Sequence, residues 1–176
     1  MQRITEVDRP GLVVRACYKI GERMFGAVPT PERIMAHRVP LMLGLGGPWG
    51  AMEWCATLEK GLRALVQLHV ATLYGSAYLA DIRHAVSVKV GISEAKLAAL
   101  VAWETAPEFS GRERAALRFT TAVVRDDREV TDADWAQLRA HFSEPEVVEL
   151  VFALGYQTFA SKFAKAFRLA PQGFSS

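Results

Sequence analysis

A chain of 176 residues, 51% hydrophobic and 23% charged, is long enough for one well-buried core and too apolar to be disordered. Its 21 Lys and Arg against 19 Asp and Glu leave a net charge of +2, too balanced for a nucleic-acid or anionic-membrane binder. Two cysteines, Cys17 and Cys55, exclude a disulfide scaffold and a cysteine-rich zinc module.

Helix signals follow one another along the chain. The N-terminus, MQRITEVDRPG, is charged and has no apolar leader segment, so a cytoplasmic protein is expected. After Pro10-Gly11, the residues Leu12, Ala16, Ile20 and Met24 recur every four positions and predict an amphipathic helix. Thr30-Pro31 reads as an N-cap followed by Pro at the first helical position. PLMLGLGGPWG, residues 40–50, reads as a loop or a short broken helix. Its glycines are no phosphate loop, because no strand precedes them and Pro48 follows.

Residues 51–74 predict one or two helices, broken at Gly75. Ser76 is placed to cap a helix running to Val90, with Gly91 as its stop, and Ser93 to cap the next. Ser110 and Glu113, Thr131 and Asp134, and Ser143 and Glu146 each have capping-box spacing. The last box introduces a long apolar segment, 147–169, that Pro171 and Gly173 end. No alternating strand pattern occurs. The fold class expected is all-α, a single domain of about seven to nine helices. Residues 64–80 carry no Lys, Arg, Asp or Glu, yet Gln67, His69, Gly75 and Ser76 interrupt them and they are too short to span a membrane. A segment apolar all round must be covered on every side, so a homo-oligomer is expected. The stripe Phe152, Tyr156, Phe159, Phe163 and Phe167 offers a second apolar face for it.

Chemistry-bearing side chains are few. His37, His69, His84 and His141 have no metal-ligand spacing, so no metal site is expected. His69 lies in the most apolar segment, where a hydrogen-bonded core histidine is the plainer reading. The densest polar group inside the apolar centre is Tyr74 to His84, with Ser76, Leu79 and Arg83 on one helical face and Asp81 three residues from both Tyr78 and His84. It is either a set of contacts closing a helix end or a site.

Several segments, in order, resemble the carboxymuconolactone decarboxylase and alkylhydroperoxidase D superfamily. They are Ala36-His37-Arg38-Val39-Pro40, LRALVQLHVATLYG at 62–75, the helix at 76–91, SGRERAALRFTTAVV at 110–124, DADWAQLRAHFSEPEVVEL at 132–150 and FAKAFRLAPQGF at 163–174. The resemblance covers residues 37–174. It implies a helical core over 36–176 with an N-terminal helical extension at 1–35, and a trimeric or hexameric assembly.

The family's redox chemistry uses a Cys-x-x-Cys pair, a histidine four residues after it and a glutamate on the preceding helix, which together make a reactive thiolate. By the resemblance these four positions are Ser76, Leu79, Arg83 and Ala64 here, while Asp81 and Ile82 match one subgroup's Cys-x-x-Cys-x-Asp-Ile form. The dithiol chemistry is therefore not expected. The family's decarboxylase branch also lacks it. That leaves a cofactor-free acid–base enzyme of decarboxylase, lactone-opening or isomerase type as the first reading. In it Arg83 binds a substrate carboxylate, and Asp81 with His69 or His84 moves protons. Ser76, Tyr78, Leu79 and Tyr156 contact the substrate. A non-catalytic ligand-binding or structural paralogue is the second reading, and a peroxidase-related thiol protein using Cys55 is the disfavoured third. The expected partner is a small molecule, anionic if Arg83 holds it.

Overall fold

The computed structural model describes residues 1–125 and 127–175. Among them are nine α-helices and no strand. The first, α1 (Leu12–Phe25), stops at Gly26, whose φ of 81° is left-handed and needs glycine. In α2 (Thr30–Met35), Pro29 takes the cap position and Thr30 is the first helical residue, not the cap expected for it. The Thr30 N–H is satisfied from the far end of the chain, donating to Gln172 Oε1 at 2.8 Å.

The segment expected as a loop or broken helix is instead a 12-residue helix, α3 (Val39–Gly50), continued by a π-turn at Ala51–Cys55. Pro40 falls in the first turn, where a missing N–H costs nothing. Pro48 lies near the end, and the wider π-turn absorbs the mismatch it creates. Met42 supplies the packing that offsets the glycines, against Val14 and Ala36. The end of this strap is tied down by Glu149, which accepts from the Thr57 and Leu58 N–H groups at 2.9 and 2.7 Å.

Helix α4 (Lys60–Leu73) is the centre of the molecule, packed against α5 (Ala77–Lys89), α7 (Gly111–Val124) and α9 (Glu144–Phe167). Leu65, Val66, Val70 and Ala71 on it have no accessible surface. Each buried aliphatic side chain is worth about 1.5–3 kcal/mol relative to exposure. The chain's own helices therefore cover the charge-free segment, and no second subunit is required for that purpose. Gly75, at φ 61°, makes the left-handed turn into α5. The short α6 (Glu94–Ala98) and α8 (Asp132–Arg139) complete the layer, and the Ser93 cap and the three capping boxes form as the spacing predicts. Helix α9 ends at Phe167, where Arg168 turns left-handed. Its stripe divides: Phe163 and Phe167 pack on the core around Tyr78 and Leu79, while Phe152 and Phe159 remain exposed. No helix among the described residues is long and apolar enough to cross a membrane.

Candidate functional site

A cavity of about 270 Å³ lies where α1, α2 and α3 lean on α5 and α9. Its walls are apolar and aromatic, including Trp49, Trp54, Phe159 and Phe163. The polar groups that reach it are few: Arg83 and Tyr78 from α5, Tyr156 from α9, and Glu32 from α2. An apolar enclosure with a small number of convergent polar groups is the usual anatomy of a ligand site.

Arg83 sits deep in the fold, its remaining accessible surface turned to the cavity. Its Nε donates to Gln157 Oε1 at 2.8 Å and its Nη1 to Gln67 Oε1 at 3.0 Å. These two amides fix the guanidinium plane but carry no charge. Among the described residues no carboxylate lies within 4.0 Å of it, because Glu53, the nearby acid, is engaged by Arg63 at 3.4 Å. Burial lowers the Arg83 pKa, yet a guanidinium keeps its proton at any ordinary pH. The result is a held, unneutralised cation facing an apolar space.

Tyr78 donates its hydroxyl to Gln172 Oε1 at 3.0 Å, and the same oxygen receives the Thr30 N–H. Burial pushes both Tyr78 and Tyr156 above the ordinary phenol value, so both are neutral hydrogen-bonding groups. Leu79 lines the cavity as expected.

Three of the four residues read as catalytic, and one read as substrate-binding, lie elsewhere. Asp81 points away from the cavity to the C-terminal tail. It accepts from the N–H groups of Gln172, Gly173, Phe174 and Ser175 at 2.9–3.1 Å and from the Ser175 hydroxyl at 2.7 Å. Burial alone would raise its pKa, but these hydrogen bonds, led by those from Ser175, outweigh it and hold the carboxylate below its ordinary value. Asp81 is a latch for the tail, and its offset of two from Arg83 on α5 turns it off the cavity face.

His69 is buried on the opposite side of α4, its Nε2 at 2.8 Å from Thr121 Oγ1 and its ring edge-on to Trp103. Burial lowers its pKa to about 4, so it is neutral. His84 is at the surface, with Nε2 3.0 Å from Glu94 Oε2. Ser76 occupies the N-cap position of α5 and makes no side-chain cap bond. It does not line the cavity. Neither cysteine is bonded; Cys17 lines the cavity and Cys55 is exposed. No group of three metal-ligating side chains occurs among the described residues.

Glu32 is the residue the sequence reading passed over. It stands in α2, with no motif around it beyond Thr-Pro-Glu. Burial raises its pKa to about 7, and its Oε2 has no hydrogen-bond partner among the described residues.

The carboxymuconolactone decarboxylase family model matches residues 48–122, the part of the chain that holds α4, α5 and most of α7. Over those residues, somewhat less than half of the chain, the protein is similar to the carboxymuconolactone decarboxylase family. The uncharacterized protein YdfG of Bacillus subtilis (strain 168) is 25% identical over 100 residues, which are 56% of this chain and 68% of YdfG. The debrominase Bmp8 has the same fold, with a TM-score of 0.86 at 16% identity over 98% of this chain and 92% of Bmp8. A Cys-to-Ala variant of Bmp8 has been solved in complex with 2,3,4-tribromopyrrole. An uncharacterized peroxidase-related protein from Ralstonia eutropha JMP134 also matches at a TM-score of 0.86, with 20% identity over 98% of this chain and 94% of that one.

Proposed function

We propose that this protein is a cofactor-free enzyme that performs acid–base chemistry on a small organic anion with an apolar ring or chain. The reaction is of the decarboxylation, lactone-opening or isomerisation type. One observation carries the reading: Arg83 is fixed by Gln157 and Gln67, faces the cavity, and has no carboxylate within 4.0 Å among the described residues. A buried cation without a counter-ion is costly to fold, and a substrate anion would supply the missing charge. The guanidinium is suited to a carboxylate by its planar fork. The aromatic walls favour a flat apolar body, and the brominated pyrrole bound by Bmp8 is a small ring of that general kind.

Thiol peroxidase chemistry is not part of this reading. The two positions that would carry the dithiol are Ser76 and Leu79, and the chain's cysteines are Cys17 and Cys55. A ligand-binding paralogue without catalysis is the second reading. It draws on Asp81, His69 and His84 all being engaged in structural contacts outside the cavity. The test is a panel of small ring carboxylates and lactones, assayed first for binding and then for turnover. Binding that requires Arg83 together with turnover supports the enzyme. Binding without turnover supports the paralogue. Binding indifferent to Arg83 overturns both.

The same reading includes a homo-oligomer, built on the exposed apolar residues of α9. Val148, Val151, Phe152 and Phe159 are between 42% and 68% exposed on one helix, more than a lone soluble chain ordinarily shows as a patch. Light scattering at micromolar concentration should give a multiple of the chain mass, and Phe152→Asp should reduce it to the single chain.

A further inference from the structure

The reading above requires a group that moves a proton, and Asp81, His69 and His84 lie outside the cavity. Glu32 is inside it. Its Oε2 is shielded from solvent and unpartnered among the described residues. No Lys, Arg or His among them lies within 4.0 Å of it, because its neighbour Arg33 reaches out to Glu6 and Asp8 instead. The seat is shaped by α1. A Cβ placed on Gly21 would stand 2.5 Å from Glu32 Oε2 and 3.0 Å from Pro29 Cδ. Only a hydrogen at position 21 lets α1 close over the carboxyl. An ionised carboxylate in such a seat loses the hydration of Oε2 with no partner in return, whereas the acid form keeps one O–H to give.

We propose that Glu32 is the proton-carrying residue of the cavity and that Gly21 is the positioning residue that seats it; the assignment rests on Arg83 being the anion site. The substrate is then a monoanion that places an acceptor within reach of the Glu32 hydroxyl. In the forward step the Glu32 O–H bond breaks, its electron pair stays on the carboxyl, and the proton forms the new bond on the substrate. Water restores the proton afterwards, or the substrate itself returns it in an isomerisation. No oxidant or reductant enters.

The other ionisable groups around the seat are accounted for. From α1 come Cys17 and Tyr18, from α5 Tyr78 and Arg83, and from α9 Tyr156. Burial raises all three tyrosines, so none ionises near neutrality. Cys17→Ser is the control for the thiol.

The experiment uses the full chain with carboxyl-¹³C glutamate and benzoate as the probe anion, with benzamide as its uncharged counterpart. In the free protein one carboxyl signal should titrate near neutrality, vanish in Glu32→Gln and persist in Cys17→Ser. In Gly21→Ala it should move down by about one pH unit or more as the carboxyl is driven toward solvent. If Gly21→Ala fails to fold, Glu32→Asp withdraws the carboxyl by one methylene and should give the same shift. Benzoate should bind several-fold more tightly at pH 5.5 than at pH 8.5, about tenfold by simple charge repulsion in a shielded site. Glu32→Gln should flatten that dependence, and benzamide should show none. A Glu32 signal titrating in the ordinary carboxyl range overturns the proposal whatever benzoate does. So does benzoate binding whose pH profile is the same in Glu32→Gln. Benzoate binding that survives Arg83→Met at full strength instead overturns the anion-site reading, which separates the two failures.

Discussion

Two polar clusters lie on opposite sides of α4, and they are treated in opposite ways. Gln67 and His69 are two residues apart, which places them about 200° apart around the helix. On one side His69 is paired with Thr121 and closed off by Trp103. On the other, Gln67 holds Arg83, and beyond Arg83 there is space rather than protein. The His69 cluster is neutral and bonded at Nε2, with Nδ1 left without a partner among the described residues. The Arg83 and Glu32 cluster is less deeply buried, and keeps a full charge and a carboxyl oxygen without a partner beside a cavity. On the proposed reading, that difference marks the side of α4 that takes a ligand.

The comparison can be broken most sharply at Arg83. Replacement by Met should weaken benzoate binding by about thirtyfold or more and change the melting temperature little, since removing an uncompensated cation offsets the loss of its bonds to Gln67 and Gln157. A melt that drops steeply would place Arg83 among the structural groups, with His69.

The next effect is a pair of opposed pH slopes. Glu32, raised by burial to about 7 from the ordinary 4.5, favours the folded state while protonated. Its contribution is full below about pH 4.5 and is lost as pH rises through 7. His69, lowered to about 4 from 6.5, does the reverse: folding is penalised as pH falls from 6.5 toward 4. Each spans about 3 kcal/mol at most. The two windows overlap, so urea unfolding across pH 4–8 should be nearly level between about pH 4.5 and 6.5. Glu32→Gln should expose the His69 slope, with stability rising from pH 4 to 6.5, and a curve unchanged by that substitution would mean the carboxyl is not held as described.

A smaller effect is expected at Asp81. Its contribution is present above the ordinary carboxylate value and fades as pH falls below it, because its folded-state pKa is lowered. Asp81→Asn keeps the shape but gives up the charge-assisted bonds to the tail, at a cost of about 2 kcal/mol. Hydrogen exchange should accelerate at residues 172–175 while α4 is unaffected. The smallest effect belongs to His84. Its pairing with Glu94 is at the surface, so His84→Ala should change stability by no more than about 0.5 kcal/mol and benzoate binding not at all.

The C-terminal tail links the latch to the site. Asp81 gathers the tail backbone, and Gln172 within it bridges Tyr78 and Thr30, two residues before Glu32. The dense polar run from Tyr74 to His84 divides in the fold. Arg83, Tyr78 and Leu79 face the cavity, and Asp81 closes a chain end.

By itself, the sequence determined what short-range chemistry determines. The three capping boxes, the Gly75 and Gly91 turns and the all-helical class follow from spacing and from backbone conformations only glycine adopts cheaply, and each was legible. Arg83, Tyr78, Leu79 and Tyr156 were legible as candidates because three of them share one helix and the family resemblance pointed to it, and all four line one cavity. Tertiary structure decided the rest. The run at 40–50 became a helix because Met42 found Ala36 and, 28 residues away along the chain, Val14. Whether His69 or Gln67 faced the cavity depended on which neighbours covered each side of α4. The meeting of Glu32 and Gly21 with Arg83 brings α1 and α2 against α5 and α9. Such contacts join residues more than fifty positions apart, and nothing in local propensity or spacing encodes which carboxyl a packed fold will leave without a partner.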